Sequence, residues 1–347
     1  MHKIGKIVII FIILIVIVGT LFELAWNIFK VSYKNTVTYN GELRITDASI
    51  MNQFGEKVEL KGLSSNGVQW ETSDCTDKNV LRYLNENWNV NVFRIAVYTE
   101  ENGYISNKEK IYNKTVRMIQ DCIDADIYAI VDWHINKDGN PNQYKNEAKE
   151  FFKNISEKYK NTPNIIYEIC NEPNNVTWDE VKEYANEVIP VIRKNASNSI
   201  IIVGTPNYSK DIELVNERRL DYQNILYSFH FYASTHKDAE RIKLEYAIAQ
   251  KVPVIVSEWG TSEFTGDGKC DFDESDKWLE LLNNNKISWV NWSFSYNKES
   301  SSILKRDIRD IINQSEHKKE EIDDKLIDKY LTDSGKYIKK KLQEQKQ

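Results

Sequence analysis

Eight short apolar runs alternating with helical patterns constrain this chain more than any other feature. The first ends near Ser64, and the others are VNVFRIAVY, IYAIVDWH, NIIYEICNE, SIIIVGT, ILYSFHFY, VPVIVSEWG and ISWVNWS. Continuous apolar runs of this length read as strands buried on both faces. Between them, helical spacing covers 108–125, 146–159 (Phe151, Phe152 and Ile155 apolar), 178–195 and 239–250. Strand and helix alternating every ~30 to 40 residues predict a parallel sheet, and eight units predict a closed (β/α)8 TIM barrel. Ahead of the first strand, GELRITDASIMNQFGEKVELKG predicts a short hairpin turning at Gln53-Phe54-Gly55.

A parallel barrel carries its chemistry at the carboxyl ends of its strands. Arg94 lies near the end of the second strand, His134 ends the third and Asn171-Glu172 the fourth. His230 and Tyr232 end the sixth, Glu258 the seventh and Trp292 the eighth. In YEICNEPN an apolar strand stops abruptly at Asn171-Glu172-Pro173, and VPVIVSEWG stops the same way at Glu258. Two carboxylates at the tips of two buried strands suggest an acid and a nucleophile facing one bond.

With 28% charged and 41% hydrophobic residues, 347 positions suffice for one large barrel or two ordinary domains, and no repeat separates two cores. The net charge is −6 with no basic cluster away from the extreme termini, so a phosphate-neutralising surface for nucleic acid is not expected and a neutral substrate fits better. Nine Trp and nineteen Tyr serve core packing and also suit sugar rings, whose apolar faces lie on aromatic rings. Cys75, Cys122, Cys170 and Cys270 are far apart and form no C-x-x-C, hence no metal or redox motif, and three disulfide pairings are open. Cys170, beside Asn171, reads as a buried small hydrophobe rather than a nucleophile.

After Lys3 and Lys6 the run 7–22 is apolar except for Gly19 and Thr20, and Glu23 breaks it before Leu24, Ala25 and Trp26. Basic residues ahead of such a run place the amino terminus inside, with Trp26 and Lys30 suited to the interface. No small-residue cleavage site follows, which favours an uncleaved signal anchor over a removed signal peptide. The division is therefore 1–35 as a transmembrane signal anchor and short linker, and 36–347 as the folded unit. That unit is expected outside the cytoplasm, at the cell surface or secreted.

LKGLSSNGVQW, FRIAVY, VDWHINKDGNPNQYKNEAKEFF, IIYEICNEPN, YSFHFYASTH and VSEWGTSEFTGDG occur in that order. This pattern resembles glycoside hydrolase family 5, and most of all its bacterial endo-β-1,4-glucanases. The resemblance covers about 58–302 and resumes at LTDSGKYIKKKL, a final barrel helix. It implies Glu172 as acid/base and Glu258 as nucleophile of a retaining reaction, with the carboxyls roughly 5 to 5.5 Å apart. Arg94 and Tyr232 then hold the nucleophile, and Asn171 binds the sugar 2-hydroxyl. His134 and His230 line the cleft, Trp292 lies under the reacting sugar, Trp70 is a platform one subsite further, and Tyr208 stands where relatives carry a leaving-group-side aromatic. Two positions depart from the family pattern: Asn66 replaces a histidine, and Asn297 takes a lysine position, leaving Lys298 one place later and Glu299 in line.

Several residues have plainer readings. Glu168 shares strand parity with Glu172 but, lying mid-strand, reads as a buried, paired structural carboxylate. His134 and His230 with a carboxylate would make a metal site, against which the H-x-H spacing of metal-dependent barrels is missing. His236 and His317 read as surface histidines. Asp132, between Val131 and Trp133, reads as turned away from the cleft toward the helix layer. The charged segment 303–328, with Ile322 and Leu326 at helical spacing, reads as a solvated helix or loop.

The sequence thus predicts a retaining endo-β-1,4-glucanase that needs no metal or other cofactor, takes a β-1,4-glucan substrate, touches the membrane only through its anchor, binds no nucleic acid and works as a monomer. The alternatives are a barrel hydrolase of mixed-linkage glucan, xylan or mannan, and a surface glucan-binding protein whose catalysis has lapsed.

Overall fold

The computed structural model describes residues 15–26, 30, 34–310 and 324–344. A hairpin of β1 (Arg44–Thr46) and β2 (Ser49–Met51) precedes eight barrel strands. These are β3 (Lys61–Ser65), β4 (Val92–Tyr98), β5 (Tyr128–His134), β6 (Ile165–Glu168), β7 (Ile201–Val203), β8 (Ile225–Tyr232), β9 (Val254–Gly260) and β10 (Trp289–Phe294). All eight pair in parallel, and β10 closes on β3. The four expected helices appear as Lys108–Asp124, Lys145–Lys158, Trp178–Arg193 and Asp238–Ala249, and the closing helix as Asp333–Gln343. Two more, Lys78–Trp88 and Phe272–Asn284, complete the outer layer and are absent from the sequence reading. The first begins at Asp77, whose side chain accepts from the backbone N–H groups of Asn79 and Val80, and the second at Asp271, which accepts from Glu274.

Strand parity sorts the side chains into two cores. Odd-numbered residues of β4 and β5, such as Phe93, Ile95, Val131 and Trp133, pack outward with the helices. Even-numbered ones point into the barrel, where Val92, Tyr128, Ile130, Ile166, Leu226, Ile255 and Val290 fill its lower half. The hairpin closes that amino-terminal mouth, because Leu43 and Ile50 belong to the same inner cluster. Its turn lies at Asp47-Ala48, both with φ positive, and not at Gln53-Phe54-Gly55. The latter is a second turn, held by the Asn52 side chain accepting from Phe54 and Glu56 N–H, which brings Lys57 back against Met51. Two left-handed residues in succession match the twist of paired strands, so Asp-Ala does here what Asn-Gly usually does.

One irregularity bears directly on the site. Along β8 and β9, Ser228 pairs with Ile255 while His230 pairs with Glu258, so β9 carries an extra residue there. Such a bulge breaks the alternation of faces. Ser257 and Glu258, consecutive in sequence, therefore both turn into the barrel, as their hydrogen bonds below require.

Other expectations change. The charged segment is fastened at both ends: Ile303, Leu304, Ile308 and Ile327 are buried, and Leu304 bridges Leu331. Ile322 and His317 lie outside the described residues, as does 1–14, the first part of the expected anchor. Residues 15–26 are helical, and Trp26 packs edge-on to Phe54 at 5.6 Å, on the hairpin side of the barrel. No helix among the described residues is long and apolar enough to cross a membrane. The four cysteines are all free, and Cys170 is fully buried.

Candidate active site

The upper half of the barrel interior is charged, and Arg94 organises it. The guanidinium, with no exposed surface, donates from Nε to Glu168 at 2.6 Å, from Nη1 to Glu258 at 2.9 Å and from Nη2 to the Asn171 amide oxygen at 2.6 Å, while Asp132 lies 3.0 Å from Nη2. Burial alone pulls the arginine pKa down, but Asp132, Glu168 and Glu258 overcome it, so the cation is held firmly. Glu168 is the buried, paired carboxylate expected. Asp132 is not where alternation was read to put it: it shares parity with His134, points inward and accepts from His134 Nδ1 at 2.6 Å. Since burial drives the pKa of His134 down to about 3, that contact is a hydrogen bond from a neutral ring rather than an ion pair.

Above this layer a cleft of about 1080 Å³ opens at the carboxyl ends of the strands. Its lining includes Asn66, Trp70, His134, Glu172, Tyr208, His230, Tyr232, Glu258, Trp292, Asn297 and Glu299. Glu258 is anchored twice, by Arg94 and by the Tyr232 hydroxyl, which donates to its Oε1 at 2.8 Å. Burial and the neighbouring Glu258 and Glu172 raise Tyr232 well above its ordinary pKa, so it stays a donor. Glu172 faces His230 Nδ1 at 3.0 Å. Burial pushes the Glu172 pKa up to about 7, against the opposing charges of Arg94 and Lys210. An oxygen of Glu172 and one of Glu258 lie within 4.8 Å of each other. That spacing is short for a pair admitting a water between carboxylate and sugar, and suits direct attack by one carboxylate.

The aromatic lining forms a stack. Tyr98 lies on His134 with ring centroids 4.1 Å apart, His134 faces Trp292 at 5.4 Å, and Trp70 leans on Tyr98 at 4.8 Å. Tyr208 stands on the far rim with 43% of its surface exposed. Asn171 is fully buried beside the cleft, with Nδ2 donating to Ile135 O at 3.0 Å and approaching His134 Nε2 at 3.3 Å.

The two departures from the family pattern have different outcomes. Asn66 Oδ1 accepts from Gly67 N–H at 2.7 Å, and its buried Nδ2 has no protein partner. Asn297 donates to Glu299 Oε1 at 2.7 Å, while Lys298 is exposed and off the cleft, so the lysine does not swing back. With a neutral partner in place of a cation, burial and the nearby Asp267 and Glu258 push Glu299 up to about 7. His236 is not a surface histidine: it is buried, its Nδ1 accepts from Tyr232 N–H at 2.8 Å, and it lines the cleft. Tyr98, Lys210, Phe264 and Arg306 also line it and were not singled out from the sequence. Parity with Arg94 at the end of β4 gives a signal for Tyr98; the others sit in irregular loops, where no periodicity marks them.

Among the described residues, Glu172, His230 and Glu258 form a cluster whose donor atoms would suit a cation by distance. Each is already engaged: His230 by Glu172 and Ser257, Glu258 by Arg94 and Tyr232. His134, the other histidine of the metal reading, has its nitrogens against Asp132 and Asn171. The donor set therefore does not fit a metal centre.

Replacing Arg94 by Lys leaves one compact ammonium where three carboxylates need a planar fork. The Arg94→Lys chain is expected to lose about 3–5 kcal/mol of unfolding free energy in urea. Stability equal to the parent chain would show that the carboxylates do not depend on this guanidinium.

Comparison with known proteins agrees with this geometry. Residues 51–298 match the family described as Cellulase (glycosyl hydrolase family 5). An endoglucanase of Clostridium saccharobutylicum is 42% identical over 84% of the chain, and endoglucanase A of Evansella cellulosilytica 45% identical over 72%. The chain spans 65% and 51% of the length of these relatives. Among solved structures, the cellulase Cel5C_n superposes with a TM-score of 0.80 at 39% identity, covering 87% of this chain and 92% of its own. The catalytic domain of Thermobifida fusca endoglucanase Cel5A in complex with cellotetraose superposes with 0.81 at 32% identity, covering 88% and 99%. On the strength of this match across the barrel, the chain belongs to glycosyl hydrolase family 5.

Proposed function

We propose that this chain is a retaining endo-β-1,4-glucanase. The observation that carries the reading is the unequal treatment of two neighbouring carboxylates. Glu172 lies partly buried against a neutral histidine with its pKa pushed up to about 7, while Glu258 is gripped by a guanidinium and a tyrosine hydroxyl. The first suits a proton donor and the second an ionised nucleophile. Glu258 attacks the anomeric carbon as Glu172 protonates the departing glycosidic oxygen, giving a glycosyl-enzyme. Glu172, now a carboxylate, draws a proton from water, which releases the sugar with its configuration retained.

The remaining residues support that pair. The stack of Trp70, Tyr98, His134 and Trp292 offers flat apolar faces to successive sugar rings, with Tyr208 on the leaving-group side. Asn171 reaches the 2-hydroxyl by trading its 3.3 Å approach to His134 for the sugar oxygen. The unpartnered Nδ2 of Asn66 and the Asn297–Glu299 pair provide further polar contacts for the glucan. A lapsed glucan binder would have no use for a doubly anchored Glu258, and mixed-linkage glucan, xylan and mannan remain alternative substrates for the same machinery. In this reading the catalytic unit is 36–347 and works as a monomer.

Reducing ends should be released from carboxymethyl-cellulose and barley β-glucan in preference to xylan and mannan, with Glu172→Gln and Glu258→Gln each losing at least ~10³-fold in kcat. A folded parent chain that releases nothing from any of the four would overturn the enzyme reading. Because Glu172 must be protonated to act, kcat/KM should be lost as pH rises through about 7, the basic limb belonging to that carboxyl.

The apolar run 7–22 and Trp26 support an extracytoplasmic, membrane-attached placement. The helix at 15–26 joins the hairpin side of the barrel, so an anchored enzyme would present its cleft away from the bilayer. Cells expressing the full chain are expected to retain it in the membrane pellet, and removal of 1–35 to release it; a full chain found free of membranes and uncleaved would argue against the anchor.

A further inference from the structure

The mechanism above uses Glu172 and His230 but leaves the far side of His230 unexplained. His230 Nε2 lies 2.9 Å from Ser257 Oγ, and Ser257 donates its hydroxyl hydrogen to Glu168 Oε1 at 2.6 Å. Glu168 is available as acceptor because Arg94 Nε holds its other oxygen at 2.6 Å, a charge-assisted bond opposing the upward push of burial on that carboxyl. Ser228 Oγ, 2.5 Å from Ser257 Oγ, completes the surroundings. A continuous chain of hydrogen bonds thus runs from Glu258 through Arg94, Glu168, Ser257 and His230 to Glu172.

Proton accounting along this chain has one outcome. Burial brings the His230 pKa down to about 4, with Arg94 and His134 acting in the same direction and Glu258 and Glu168 opposing, so near neutral pH the ring carries a single N–H. Ser257 has given its only hydrogen to Glu168, so its oxygen faces Nε2 with a lone pair, and the ring hydrogen must lie on Nε2. Nδ1 is then bare, and it points at Glu172 Oε1.

We propose that Ser257 is a positioning residue for the proton donor: by accepting from His230 Nε2–H it fixes the tautomer that presents a lone pair to Glu172. The inference rests on the acid/base reading of Glu172. A lone pair at Nδ1 accepts a hydrogen bond only from protonated Glu172, so it favours the acid form and raises the carboxyl pKa. The opposite tautomer would donate to the carboxylate and lower it. The proton leaves Glu172 for the glycosidic oxygen, and the proton later drawn from water returns Glu172 to the same hydrogen bond. Ser257 faces inward by the ordinary alternation from Ile255, and the bulge in β9 brings the next residue, Glu258, inward alongside it, so that both join one chain of hydrogen bonds in the barrel.

Other charged or titratable groups also bear on Glu172: Arg94 from β4, Glu168 from β6, Lys210 from the loop after β7, Glu258 from β9, and, through their own interactions with it, Asp132, Tyr98 and Tyr232. Those facing His230 are Glu258, Arg94, Glu168 and His134 together with Glu172 itself. Ser257→Ala changes the charge of none of them, so its effect isolates the hydrogen bond. Ser257→Thr keeps the hydroxyl.

Two readouts on the full chain test the proposal. In ¹⁵N-histidine-labelled protein, which has five histidines, His230 is assigned by the signal lost in His230→Asn. It is expected to show a protonated Nε2 and a bare Nδ1 in the parent and in Ser257→Thr, and Nδ1 protonation in Ser257→Ala. The basic limb of kcat/KM is expected to fall by ~1 pH unit, a tenfold change in proton affinity, in Ser257→Ala and to return in Ser257→Thr. A parent ring protonated on Nδ1, or a Ser257→Ala enzyme with lower kcat but an unmoved basic limb and tautomer, would overturn the proposal and leave Ser257 a packing residue. If the parent cleaves no glucan, the proposed activity falls, and the tautomer measurement decides the serine's role alone.

Discussion

The site depends on one buried cation. Arg94 sits in the barrel interior with Asp132, Glu168 and Glu258 around it, three carboxylates against a single guanidinium. Removing charges from water is costly, and an arrangement like this persists only when each lone pair and each N–H finds a partner. The planar fork of arginine meets most of that demand: one edge holds Glu168, one nitrogen holds the nucleophile candidate, and one holds Asn171, while Oδ1 of Asp132 is left without a partner. The hydrophobic lower barrel and the hairpin beneath it keep water away from this layer, which strengthens every interaction in it.

From that cation the two glutamates acquire different chemistry without different side chains. Glu258 lies against Arg94 and Tyr232 and is fixed in direction by both. Glu172, beyond the end of β6 and so three strands round the barrel from β9, meets a neutral imidazole, so desolvation dominates and its proton is retained to about pH 7. Glu168 and Ser257 connect the two, so the charge that orients the nucleophile also orders the hydrogen bonds behind the acid. The aromatic stack across the cleft is built on the same interior parity, with Tyr98, His134 and Trp292 each following an inward-facing residue two places earlier on its strand.

Much of this was legible in the sequence because barrel strands announce themselves as apolar runs and their functional residues fall at the ends. The eight strands, the polar tips at Glu172 and Glu258, and the buried Glu168 could be read in this way. Parity was also legible but was misapplied to Asp132: His134 lines the cleft, so the residue two places earlier must face inward as well. Other features had no local signal. Glu258 enters the interior beside Ser257 only because β9 bulges, which breaks the alternation that, counted from Ile255, would have turned Glu258 outward. His236 is buried by the return of its loop onto Tyr232, and Phe264 and Arg306 reach the cleft from irregular segments. The helices Lys78–Trp88 and Phe272–Asn284 did carry a signal that the reading passed over, an Asp cap followed by apolar residues at helical spacing: Val80, Leu81, Leu84 and Trp88 in the first, Trp278, Leu279 and Leu282 in the second. Lys298 illustrates the converse: one residue of register was enough to remove a lysine from the cleft.

The central claim is that Glu258 attacks the sugar itself, since its oxygen lies within 4.8 Å of one on Glu172. The most direct measurement is the anomeric configuration of the first product, followed by ¹H NMR during cleavage of cellotetraose before mutarotation sets in. The account requires the new reducing end to appear as the β-anomer, as double displacement on a β-linkage demands. Initial appearance of the α-anomer would mean a single displacement by water and would contradict the roles assigned to both glutamates.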